Sequence, residues 1–365
     1  MRVLIAGGGT GGHLYPGIAL ARELQRRDST VHVSFAGTAR GIEARVVPRE
    51  GFLLDLLRVT GVKDKKGVAR LRAFLLLPLA AIDAWRIVTM QRPDVVVGVG
   101  GFASGPVLAV AALRGYPTML LEQNALPGIT NRLLARLVRA AAVNFEEALR
   151  YFPRTGFVAG NPVRPAFFPA QNEEANDRST EPLHAGRVLI FGGSQGAHAI
   201  NVAMVEAAAR LAASGRHLAI THQTGERDLD LVRTAYQRAG LKARVEAFIF
   251  QIDGEMKAAD VVVSRAGATT LSELAASGRP SILVPLPTSS DDHQRKNADV
   301  VAKAGAAVVI EERDLKTGAL VEALLSLLAE PNRRREMGRA AARLARPDAA
   351  ARIADRVEEF ARHAR

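Results

Sequence analysis

The chain has 365 residues, 48% of them hydrophobic and 24% charged, a balance that excludes a long disordered tract and a length that favours two domains over one compact core. It contains no cysteine, which removes disulfides, cysteine-ligated zinc and cysteine nucleophiles together and fits a cytoplasmic setting. The 49 basic against 37 acidic residues leave a net charge of +12 and point to a polyanionic partner; with 5% aromatic residues and no basic-aromatic stripe, nucleic acid is set aside in favour of anionic lipid or a phosphorylated substrate.

The chain opens on MRVLIAGGGTGGH, whose apolar run is too short for a signal-peptide core and enters a glycine turn, so Val3 to Ala6 reads as a first strand. The loop Gly7 to Gly12 follows it and precedes a helical run from near Pro16, a setting in which backbone N–H groups and a helix dipole hold an anion. The loop also matches G-x-G-x-x-G. A nicotinamide site, however, needs an acidic residue at the end of the second strand, and Val31 to Phe35 runs on into Ala36 and Gly37. His13 closes the loop; with an ordinary pKa of about 6.5 it suits proton removal from a hydroxyl near neutral pH, against the plainer reading of a structural histidine.

Further along, Lys63, Lys65, Lys66, Arg70 and Arg72 precede Phe74 to Leu79. The apolar run is too short to span a bilayer, so the pairing predicts docking on an anionic membrane surface, with a buried helix and basic flank as the alternative. Strands Val95 to Val99 and Thr118 to Leu121 follow. Gly100 to Pro106, after the first of these, is either a ligand loop or a close strand–helix packing; Glu122, Gln123 and Asn124, at the carboxyl end of the second, are expected to contact substrate.

Tyr151 to Ala185, with Pro153, Pro162, Pro165, Pro169 and Pro182 and the polar run Gln171 to Thr180, reads as an interdomain connection. The second half repeats the strand pattern at Val188 to Phe191, Leu218 to His222, Val245 to Ile249, Val261 to Ser264, Ile282 to Val284 and Ala307 to Ile310. Gly192 to Gly196 offers backbone donors and the Ser194 hydroxyl to a phosphate but lacks the G-K-[ST] ending of a Walker loop. Ser264 to Glu273 passes from strand to helix; N–H groups near Ala268 and Thr269 can hold a diphosphate, and Glu273 can accept both hydroxyls of a ribose, or lie on a solvated helix face or serve as a helix cap. Thr288 to Asn297 is polar enough to read sugar hydroxyls, and its Asp291, Asp292 and His293 are read as a capped helix start rather than a metal site. Past Glu330 the chain is rich in Ala and Arg and ends in a helical pattern through Ile353, Val357 and Phe360.

The alternation gives an α/β class: two Rossmann-like doubly wound domains facing a cleft, residues 1–162 and 163–345, with residues 346–365 a terminal helix packing back on the first.

Taken in order, G-G-T-G-G-H, G-G-F-x-S-G-P, E-Q-N, G-N-P-V-R (Gly160 to Arg164), G-G-S-Q-G-A and the Arg265 to Glu273 run resemble the MurG family of peptidoglycan N-acetylglucosamine transferases, from residue 1 to about Ile310. The resemblance implies a GT-B fold and inverting transfer of N-acetylglucosamine from UDP-N-acetylglucosamine to the C4 hydroxyl of an undecaprenyl-pyrophosphoryl-N-acetylmuramoyl-pentapeptide, lipid I to lipid II. It implies a peripheral enzyme on the cytoplasmic face of the cell membrane, with the lipid-linked acceptor on the N-terminal domain, the donor mainly on the C-terminal one, and no cofactor or metal assigned. Carried over by motif, Thr10, Gly11, Gly12, Asn124, Arg164, Ser194, Ile249, Ala268, Thr269, Thr270, Leu271, Ser272, Glu273 and Gln294 contact the donor, Ile249 by backbone atoms at uracil and Glu273 at the ribose. Arg265 is a helper at the diphosphate and His13 the base. The segment Phe248 to Ile252 departs from the family in lacking an acidic pair after the isoleucine. Another GT-B enzyme, such as a glycolipid synthase or UDP-N-acetylglucosamine epimerase, and a non-catalytic nucleotide-binding protein are the alternative readings.

Overall fold

The computed structural model describes residues 1–59, 76–169, 186–193 and 195–363. They divide into two units, Met1–Val163 with Arg346–Arg365, and Arg164–Ala345. Unit 1 holds seven parallel strands: β1 (Arg2–Gly7), β2 (His32–Gly37), β3 (Leu53–Leu56), β4 (Val95–Gly100), β5 (Thr118–Glu122), β6 (Ala140–Val143) and β7 (Gly156–Val158), in the order β3-β2-β1-β4-β5-β6-β7. Unit 2 holds six, β8 (Gly186–Phe191), β9 (Leu218–Gln223), β10 (Ala243–Glu246), β11 (Val261–Ser264), β12 (Ser281–Leu283) and β13 (Ala307–Val309), in the order β10-β9-β8-β11-β12-β13. In each sheet the winding reverses once, between β1 and β4 and between β8 and β11, and an open parallel sheet takes its ligands at the carboxyl ends of such strands.

Helices cover both faces of each sheet, so the central strands are apolar at successive positions rather than alternating with polar ones; β4 is buried from Val95 to Gly100. The two-residue period still sorts side chains between faces. Ile5, Val97 and Leu121 enter one core of unit 1, and Leu4, Val96 and Leu120 the other.

Three differences from the sequence reading have physical causes. The alanine run of β6 has weak strand propensity and becomes a strand because β5 and β7 flank it with hydrogen-bonding partners. The expected connection at Tyr151 to Ala185 is shorter than its prolines suggest: β7 lies inside it and belongs to the unit 1 sheet, and the turn Pro165–Phe167 belongs to unit 2. The polar run Gln171 to Thr180 lies outside the described residues. The strand expected at Val245 to Ile249 ends at Glu246, which puts Ile249 in the following loop.

The last helix, Ala349–Arg362, belongs to unit 1 and packs on the helix Gly11–Arg27. Ile353 and Val357 are fully buried there. Arg27 bonds Asp355, Glu358 and the Ala351 carbonyl from the rim. Among the described residues no helix is long and apolar enough to cross a membrane.

Burial outweighs the ionic rim in holding this helix. Ile353→Ala is expected to destabilise unit 1 by about 2–5 kcal/mol, and Arg27→Met by less than about 1 kcal/mol because its partners are solvent-screened. The chain's single tryptophan, Trp85, lies in unit 1, so its fluorescence during urea unfolding measures both; equal losses would reverse the ranking.

Candidate active site

In unit 1 the chain leaves β1 through Gly7, Gly8 and Gly9, all at positive φ. Contrary to the anion loop expected from the sequence, these donors are used internally. The Gly8 N–H donates to the Gly100 carbonyl at 3.3 Å and the Gly9 N–H to Glu43 Oε2 at 2.7 Å. Buried Glu43 also accepts the Thr38 N–H and hydroxyl on Oε1, at 2.9 and 2.8 Å. A Cβ at residue 8 would stand 2.4 Å from that carboxylate, so only glycine fits.

The helix begins at Gly11, earlier than the sequence suggests, with Thr10 as an extended N-cap. His13 is therefore in its first turn, its N–H donating to the Thr10 carbonyl at 3.2 Å, and Gly11 and Gly12 are half-buried beside it. The imidazole lies against Gly100, where a Cβ would come within 2.7 Å of Nδ1. Nδ1 and Gln123 Oε1 are 3.3 Å apart. Burial lowers the His13 pKa, opposed by hydrogen bonds to Gln123 and the Val99 backbone, so the ring is neutral at neutral pH, as a general base must be.

The Glu122–Asn124 cluster divides its labour. Glu122 Oε1 accepts the Asn124 N–H and Nδ2–H at 2.9 and 3.1 Å, and Oε2 the Gly128 N–H and Asn131 Nδ2–H at 3.1 and 2.8 Å. Burial pushes its pKa up against those bonds. Glu122 thus organises its loop and buried Gln123 meets His13, while Asn124 is half-buried. In the Gly100–Pro106 segment the packing reading holds: Gly100 accepts from Gly8, and Ser104 is fully buried.

In unit 2 the helix Ala268–Ser277 follows β11, with Gly267 as an extended N-cap and no side chain capping it. Its first turn carries the N–H groups of Ala268, Thr269 and Thr270, which no carbonyl of the same helix accepts. Leu271 is a core side chain, leaving only its backbone at the site, and the Ser272 hydroxyl donates back to the Ala268 carbonyl at 3.1 Å. Glu273, in the second turn, has its pKa lifted to about 7 by burial; the charge of Arg164 opposes the rise and that of Asp253 adds to it. The Arg164 guanidinium stands 5.0 Å over the Phe167 ring.

Arg265, expected as a helper at the diphosphate, is engaged within the protein: its Nη1 donates to the Val284 and Pro285 carbonyls at 3.1 and 3.3 Å, and its Nη2 pairs with Glu312 at 2.5 Å, so the guanidinium braces the framework. Gln294 Oε1 accepts the Ala266 and Leu286 N–H groups at 3.2 and 3.0 Å, clamping the loop before the helix. The N–H of Ile249 is committed to Gln223 Oε1 at 2.9 Å, while Gln223 Nε2 donates to the Gly193 carbonyl at 2.8 Å. Ser194 lies outside the described residues, as do Lys63 to Arg72. Asp292 stands at the N-cap of the next helix but its side chain makes no capping bond; it and Asp291 adopt left-handed backbone, and the Ser289 hydroxyl accepts the Gln294 N–H at 3.3 Å. Among the described residues no three His, Asp or Glu side chains converge as metal ligands.

Sequence reasoning missed Glu43, Gln223 and Asp253. Gln223 carried a usable signal, a polar run directly after an apolar strand, the same pattern that singled out Glu122 to Asn124. Nothing in the spacing brings Glu43 under the glycine loop or Asp253 near Glu273.

Residues 3–143 match the glycosyltransferase family 28 N-terminal domain and residues 187–353 the C-terminal domain of that family. The chain is 49% identical over 99% of its length to the UDP-N-acetylglucosamine–N-acetylmuramyl-(pentapeptide) pyrophosphoryl-undecaprenol N-acetylglucosamine transferase of Anaeromyxobacter dehalogenans, covering 94% of that protein. It is 47% identical to the protein of the same description from Myxococcus xanthus, over 97% of this chain and 92% of the relative. The crystal structure of Acinetobacter baumannii MurG superposes with a TM-score of 0.78 at 29% identity, covering 98% of this chain and 99% of that one.

Because its pKa is raised from 4.5 to about 7, Glu273 favours the folded state fully below the lower value and loses that contribution as pH rises through the higher. Glu273→Gln is therefore expected to gain thermal stability relative to the parent between about pH 5 and about pH 8 in calorimetry. A gap that stayed constant across that range would show the carboxyl to be ordinarily solvated.

Proposed function

The chain belongs to glycosyltransferase family 28, and from that premise we infer that it transfers N-acetylglucosamine from UDP-N-acetylglucosamine to undecaprenyl-pyrophosphoryl-N-acetylmuramoyl-pentapeptide, converting lipid I to lipid II on a GT-B fold. The observation that carries this reading is near-full-length identity to transferases named for that substrate.

The residue roles are our assignment. His13 Nε2 takes the proton of the acceptor C4 hydroxyl as its oxygen attacks the anomeric carbon; the bond from that carbon to the diphosphate oxygen breaks with inversion, and UDP leaves with the electron pair. The growing charge on UDP is met by the N–H groups of Ala268, Thr269 and Thr270 and by the helix dipole behind them, a preorganised field. Glu273 accepts the ribose hydroxyls, Arg164 steadies its carboxylate, Ile249 meets uracil through its carbonyl, and Gln294 uses its remaining amide N–H groups. Ser194 supports the diphosphate, and Thr10, Gly11, Gly12 and Asn124 are assigned to the transferred sugar. His13→Ala is expected to lower turnover by about 10² to 10⁴ with nucleotide affinity unchanged in isothermal titration; lost nucleotide binding with turnover retained would retire the base assignment.

The same reading places the enzyme peripherally on the cytoplasmic membrane face. Support comes from the helix Leu77–Gln91, which buries Ala80, Ala84, Ile87 and Val88 while exposing Leu77, Leu79, Ile82 and Trp85, with the Arg114 guanidinium 4.3 Å over the Trp85 ring. An exposed apolar ridge beside a cation suits the interface of an anionic bilayer. Trp85 emission is expected to shift to the blue with anionic vesicles, to revert in high salt, and to stay put in the Leu79→Asp/Ile82→Asp double variant. Binding indifferent to lipid charge, or undiminished in the double variant, would sink this reading.

A further inference from the structure

The geometry around His13 assigns a task to Gln123 that no motif gives it. Gln123 is buried, and its main chain is pinned because the Asn144 side chain donates to its carbonyl at 3.1 Å. Its side-chain amide has only one workable orientation. Nε2 donates to the Val99 carbonyl at 3.0 Å, and turning the amide over would set its oxygen against that carbonyl. Oε1 is therefore the atom that faces His13 Nδ1, and an acceptor in that place demands a proton on the ring nitrogen.

We propose that Gln123 is a positioning residue that holds His13 in its Nδ1–H tautomer and turns the unprotonated Nε2 toward the acceptor hydroxyl. The inference rests on the reading of His13 as the base. It follows the logic by which a buried group bonded to Nδ1 fixes a catalytic histidine, with one difference of consequence. The orienting group here is a neutral amide. A carboxylate would stabilise the imidazolium and raise the ring's proton affinity, whereas an amide fixes the tautomer without adding charge. Gly100 completes the seat, since any side chain there would displace the ring from Gln123.

The test uses the full-length enzyme, with the ring-nitrogen state of His13 read by ¹⁵N NMR on histidine-labelled protein. The signal is identified by its loss in His13→Ala. The parent is expected to show Nδ1 protonated and Nε2 bare. Q123M removes the acceptor, so it should populate the Nε2–H form and lower kcat by about 10- to 1,000-fold, within the range available to general base catalysis, while UDP affinity stays unchanged. Q123E keeps an acceptor toward Nδ1 and should hold the parent tautomer and retain more turnover than Q123M. An Nε2–H ring in the parent overturns the proposal whether or not Q123M folds. A tautomer unmoved in Q123M overturns the positioning role and leaves His13 as base. A shifted tautomer with unchanged kcat retires His13 itself, and with it the role given to Gln123.

Discussion

At the carboxyl edge of a parallel sheet, each strand-to-helix loop carries backbone N–H groups that no neighbouring strand accepts, and the chain must satisfy them or leave them to a ligand. The two units do this with different chemistry. Unit 1 supplies carboxylates: Glu43 for Gly9 and Thr38, Glu122 for Asn124 and Gly128. Unit 2 supplies neutral amides: Gln223 for Ile249, Gln294 for Ala266 and Leu286. A fixed carboxylate repels a second anion and an amide does not, which favours the division proposed above, with the diphosphate on unit 2 and the hydroxyl chemistry on unit 1.

Desolvation works on two titratable groups in opposite senses. It strips His13 of affinity for a proton and leaves a neutral base. It gives Glu273 more affinity for one, and the charge of Arg164 is the counterweight that favours the carboxylate. Arg265 is held by Glu312 and the Val284 and Pro285 carbonyls, so the N–H groups at the helix start are the donors there that the helix itself leaves over.

Much of the fold was legible because parallel strands buried on both faces leave long apolar runs, and all four strands expected in the first half and all six in the second have counterparts. The strands that escaped notice are those whose residues do not announce themselves: three alanines in β6, a three-residue β7, and β3, a short edge strand with Leu53 and Leu56 exposed. The loops most rich in glycine were located correctly, yet the donors of the first are used within the protein. A glycine reports that backbone comes close to something, and it does not report whether that something is a ligand or, as at Gly8, the chain's own glutamate.

The α/β class, the two-unit plan and the family could all be read from the order of residues alone, because periodicity and motif order are written along the chain. Which polar atoms are already engaged within the protein emerged only from the folded chain. That depends on partners distant in sequence, such as Gln123 on His13, Gln223 on Ile249 and Glu43 on Gly9, and a hydrogen bond between residues brought together by folding leaves no mark in the local pattern of either one.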